Sequence, residues 1–119
     1  MKEVININGQ TFFAATNSEL SNYSGGKCII VASHADASAM IDEGVQFSAN
    51  GANQLIVVGG DVAEVVQKLI GVDVFVIGAT TWEQAIELSA QSRELNEQVV
   101  CIQNNEVEDI QQLIQAIIK

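Results

Sequence analysis

Between Gln54 and Thr81 the chain reads QLIVVGGDVAEVVQKLIGVDVFVIGATT, and this stretch decides the fold. Leu55 to Val58 is an unbroken apolar run without alternation, the pattern of a strand covered on both faces. Gly59-Gly60 stops it. Val62, Val65, Val66, Leu69 and Ile70 then recur at helical spacing, with Glu64, Gln67 and Lys68 on the other side. β-branched valine is a mediocre helix former, so packing has to hold this helix. Asp61 with Glu64 has capping-box spacing, and Gly71 stands where a C-terminal cap belongs. Val74 to Ile77 reads as a second buried strand, ended by Gly78. Strand, helix and strand make a βαβ unit, two parallel strands joined by a right-handed crossover.

The same grammar extends both ways. Upstream, Cys28 to Ser33 is another buried strand, followed by a helix over about 36–49 with Ala37, Met40, Ile41 and Val45 on one stripe. Downstream, a helix runs from Trp82 toward Leu95, with Trp82, Ala85, Ile86 and Ser89 facing inward. Thr81 with Gln84 and Thr80 with Glu83 compete as its cap. Val99 to Ile102 is a fourth parallel strand. Asn105 and Glu108 cap a final helix whose apolar side carries Val107, Ile110, Leu113, Ile114, Ile117 and Ile118.

At the start of the chain, Glu3–Ile7 and Gln10–Ala15 flank Asn8-Gly9, a strong hairpin signal because both turn residues tolerate positive φ. This turn sets Ile7 opposite Gln10, Ile5 opposite Phe12 and Val4 opposite Phe13. A lone hairpin is marginal in water, so it should dock on the edge of the main sheet. The expected fold is α/β in three layers: a four-stranded, mostly parallel sheet with an N-terminal hairpin, order ββ(βα)4, flavodoxin-like or Rossmann-like. A single domain spans residues 1–119, with the hairpin in 1–16 and four βα units in 28–119.

The chain has 119 residues, 48% of them hydrophobic and only 5% aromatic, which suits an aliphatic parallel α/β core. Its net charge is −10, from 15 acids against 5 bases. Nucleic acids and anionic membrane surfaces need clustered Lys and Arg, so neither is expected as a partner. No run reaches the roughly 18 apolar residues of a membrane span, and Met1-Lys2-Glu3 opens no signal-peptide core; a cytoplasmic location is expected. Cys28 opens one strand and Cys101 lies late in another, so they should sit about 10 Å apart along the sheet, too far for a disulfide. With one histidine and no C-x-x-C pair, no zinc site or other metal centre is expected, and no cofactor is implied.

Ligands of open parallel sheets bind beyond the carboxyl ends of the strands, where the strand order reverses. Those ends hold the candidates Ser33, His34, Asp36, Gly60, Asp61, Thr80, Thr81, Asn104 and Asn105. An order 2-1-3-4 of the parallel strands would join His34 to Thr80 and Thr81. An order 3-2-1-4 would join it to Asn104 and Asn105. Each candidate also has a plain structural role. Asp36, Asp61, Thr80, Thr81 and Asn105 stand where helix N-caps belong, and Gly59-Gly60 suits a tight turn.

The chain lacks G-x-G-x-x-G, G-x-x-x-x-G-K-[ST] and G-x-S-x-G, and with them the usual phosphate cradles and nucleophile elbow. The leading expectation is therefore a small non-catalytic binding or interaction domain that self-associates, its partner a second copy or another protein. The alternative is a small-molecule-binding protein or enzyme with a crevice around His34. The apolar surplus of the final helix motivates the first, the lone imidazole at a strand end the second.

Overall fold

A computed structural model describes residues 2–7, 9–15, 28–33, 52–60, 62–68, 75–91, 98–102 and 107–118. Six strands and three helices follow one another: β1 (Lys2–Ile7), β2 (Gln10–Ala15), β3 (Cys28–Ser33), β4 (Ala52–Val58), α1 (Val62–Lys68), β5 (Phe75–Ala79), α2 (Trp82–Gln91), β6 (Gln98–Ile102) and α3 (Val107–Ile118). The expected helix over 36–49, the caps at Asp61, Gly71 and Asn105, and Leu69 and Ile70 lie outside the described residues.

All six strands form one mixed sheet in the order β1-β2-β6-β3-β4-β5. This corrects the expected four-stranded sheet with an appended hairpin. β2 pairs in parallel with β6, Phe13 beside Val100 and Ala15 beside Ile102, so five strands run parallel and only β1 is antiparallel. The reason is burial on β2, where Phe12, Ala14 and Ala15 are fully enclosed and α3 packs over both hairpin strands. A strand covered in this way belongs inside a sheet.

The hairpin register holds at Ile7 opposite Gln10 and Ile5 opposite Phe12, but Phe13 faces Glu3 instead of Val4. The register shifts between Glu3 and Ile5, leaving Val4 in a bulge. Asn6 faces Thr11, and its side-chain amide donates to the Thr11 hydroxyl at 2.6 Å.

Side chains alternate across the sheet and form two cores. On one face Ala15, Cys28, Ile30, Ala32, Leu55, Val57, Val100 and Ile102 are buried with Val65 of α1. On the other, Phe12, Ala14, Ile29, Val31, Ile56, Val99 and Cys101 are buried under Ala85 and Ile86 of α2 and Ile110 and Ile114 of α3. The chain steps β3, β4, β5 in one direction with α1 on the first face, then returns to β6 with α2 on the second. Right-handed crossovers produce this alternation when the direction of travel reverses.

Strand β5 departs most from expectation. It starts at Phe75 and runs through Gly78 to Ala79 instead of ending at Gly78. The Gly59 N–H donates to the Ala79 carbonyl at 2.8 Å and carries the ladder past that glycine. Nor is β5 a buried strand: Phe75 is 65% exposed and Val76 and Ile77 only half-buried. Among the described residues β5 pairs with β4 alone, so it is an edge. Helix α2 leaves its carboxyl end and crosses toward β4 and β3, away from Phe75.

Val66, expected inward, is 44% exposed. Helical geometry turns it about 100° from Val65, the fully buried centre of the stripe. Glu64 and Gln67 are exposed as the pattern required, and Ala85, Ile86 and Ser89 of α2 are buried.

Candidate functional site

The carboxyl ends of the parallel strands are level. Ser33 lies beside Val58 and Val58 beside Ala79; on the other side Val31 lies beside Cys101 and Ala15 beside Ile102. The carboxyl ends of these strands therefore lie along one edge of the sheet. Counted along the four strands β3 to β6, the order is 3-2-1-4, and it reverses between β3 and β6. Of the candidates, Ser33 stands at this reversal, half-buried at the end of β3. Thr80 and Thr81 do not, because β4 intervenes and sets them about 10 Å from β3. His34, Asp36, Asp61, Asn104 and Asn105 lie outside the described residues.

Thr80 and Thr81 have structural work. The Gln84 N–H donates to the Thr81 hydroxyl oxygen at 3.1 Å, and the Ala85 N–H to the Thr81 carbonyl at 3.1 Å. The Gln84 side-chain oxygen accepts from both the backbone N–H and the hydroxyl of Thr80, at 2.8 and 2.9 Å. Thr81 with Gln84 is therefore the cap, and Thr80 with Glu83 is not. The return bond reaches one residue further back than in the standard capping box.

Gly60 and its neighbour Gly59 both adopt φ of +72°. A side chain would strain either, so the pair is required by the turn from β4 into α1 whether or not a ligand approaches it. No cluster of three or more His, Cys, Asp or Glu residues with the geometry to hold a metal occurs among the described residues.

Cys28 and Cys101 are in no disulfide and are both fully buried. Cys101 sits beside Val31, three residues up the strand from Cys28, and the two thiols belong to opposite faces of the sheet. Burial raises the Cys101 thiol to about 12, which keeps it protonated and unreactive at neutral pH.

Most of the apolar stripe expected on the last helix packs into the core, and the side chains of Val107 and Ile118 lie outside the described ones. Ile110 and Ile114 are buried, and Leu113 and Ile117 pack against the same cluster. Among the described residues the large hydrophobic side chains left exposed are Phe75 and Val66, at the opposite rim of the sheet. Phe75 follows the parity of Ile77 and Ala79, on the α2 face, whereas Val66 belongs to α1 on the other. Sequence reasoning missed this rim because it read Val74 to Ile77 as covered on both sides. The available signal was Phe75, the one aromatic among strands β3 to β6.

No helix among the described residues is long and apolar enough to cross a membrane. Compared with family models and with curated proteins, the chain matches none.

Proposed function

We propose that this chain is a small non-catalytic interaction domain of the three-layer, Rossmann- or flavodoxin-like kind, and that it associates with itself. The observation that carries this reading is Phe75, a large aromatic left 65% exposed on an edge strand. Water contact at such a side chain forgoes roughly 1.5–3 kcal/mol of burial, and a partner surface recovers it. Sedimentation equilibrium from micromolar to millimolar protein tests the proposal. A mass that rises above 12.7 kDa with concentration supports it, and a single-chain mass throughout refutes it.

A second reading rests on the strand order. The reversal beside Ser33 is where an open α/β sheet holds a small molecule. On that reading His34 lines a crevice with Asn104 and Asn105, and His34→Ala abolishes ligand binding with stability nearly unchanged. Native mass spectrometry of the purified protein separates the two readings. A co-purifying mass that disappears on denaturation, and is absent from His34→Ala, favours the crevice; multiples of the chain mass alone favour the interaction domain.

A further inference from the structure

The two edges of the sheet are built differently. β1 carries charged Lys2 and Glu3 and a bulge at Val4, devices that keep an edge from pairing with other strands. β5 has none of them. It is regular against β4, and from Val74 to Trp82 the sequence contains no charge and no proline. On a molecule of net charge −10, an uncharged edge is where two copies meet with least repulsion.

We propose that a second copy of the chain covers this edge by antiparallel pairing of β5 with β5 about Ile77, giving one sheet continuous through both molecules. The inference rests on the self-association proposed above and specifies its contact.

Two features of β5 favour a second copy over an unrelated strand. The first is hydrogen-bond direction. The Ala79 carbonyl points inward to the Gly59 N–H, so by alternation Phe75 and Ile77 also bond inward, and the N–H and C=O of Val76 and Gly78 face outward. Pairing about Ile77 sets Val76 opposite Gly78 of the second copy, and Gly78 opposite its Val76. These are the residues whose polar groups face the gap.

The second feature is volume. The strand reads Phe-Val-Ile-Gly-Ala, large to small. The same register sets Phe75 against Ala79 of the second copy and Val76 against its Gly78, so these two bulky side chains meet small ones, while Ile77 meets its own copy at the two-fold axis. A two-fold contact has to be self-complementary in this way.

Two substitutions test the contact by sedimentation equilibrium. Val76→Pro removes an outward N–H and leaves the β4 ladder intact, since proline is tolerated on edge strands. Phe75→Lys puts a charge into the contact at an exposed position. The expected result is an unaltered protein at twice its 12.7 kDa mass and both variants at the single mass, with far-UV circular dichroism unchanged. If Val76→Pro does not fold, Phe75→Lys alone decides. An oligomer that survives in the folded variants overturns the β5 contact while self-association stands. A single-chain mass for the unaltered protein, including one that instead pairs with a foreign strand peptide, overturns both.

Discussion

Gly78 shows how one residue couples the sheet to the helix above it. A Cβ built there runs into the Val62 side chain, so α1 packs on β5 only because position 78 has none. Gly78→Ala is expected to destabilise the fold by about 1–3 kcal/mol, the usual cost of overpacking. Val62→Ala should relieve that clash, so a double-mutant cycle read by urea unfolding will show strongly non-additive costs. Additive costs would mean the two residues do not compete for space. Burial governs the cysteines in the same local way. With the native Cys101 thiol raised to about 12, unfolded chains lose that proton at lower pH than folded ones. The native state then binds more protons above the ordinary value of 9.0, and stability falls as pH rises from there toward 12; below that window the group has no effect. A thiol reagent at pH 8 without reductant should label neither cysteine in the native protein and both in denaturant. Any native labelling of Cys101 contradicts its burial.

Helix α2 is capped at its start by the Thr81–Gln84 bond and tied near its end by a contact far away in sequence. The buried Gln10 side chain donates to the Ser89 carbonyl at 3.0 Å, joining the hairpin turn to the last part of the helix, and the Ser89 hydroxyl donates back to the Ile86 carbonyl at 2.7 Å. Thr81→Ala should cost about 1 kcal/mol, as loss of an N-cap generally does. Gln10→Leu should cost about 1–3 kcal/mol, because it leaves a buried carbonyl without that donor. Chemical denaturation checks both, and a Gln10→Leu variant as stable as the original would show the bond to be dispensable. The cap was legible because its donor and acceptor lie within four residues. The Gln10 contact was not, because nothing in a local pattern reveals a partner 79 positions away. Helix and strand types emerged from periodicity for the same reason. What failed was position within the sheet: a continuous apolar run looks alike in β4, enclosed by neighbours, and in β5, at the rim. The hairpin was legible from Asn8-Gly9, but not the pairing of β2 with β6, which depends on α3 returning over it.

At the scale of the whole molecule, charge and edge chemistry pull in opposite directions. Each copy carries −10, so two copies repel at long range wherever they touch, while the proposed β5 contact contains no ion pair that salt could weaken. Screening acts on the repulsion alone. The Debye length falls from about 30 Å at 0.01 M salt to about 3 Å at 1 M, so added salt should tighten the association steadily. A contact held by salt bridges would respond in the opposite sense. Measuring the dimer dissociation constant by analytical ultracentrifugation across that range separates the two mechanisms. A constant that falls with salt agrees with a neutral strand edge working against the net negative charge of the two copies. A constant that rises places the contact among charged residues and removes β5 from it.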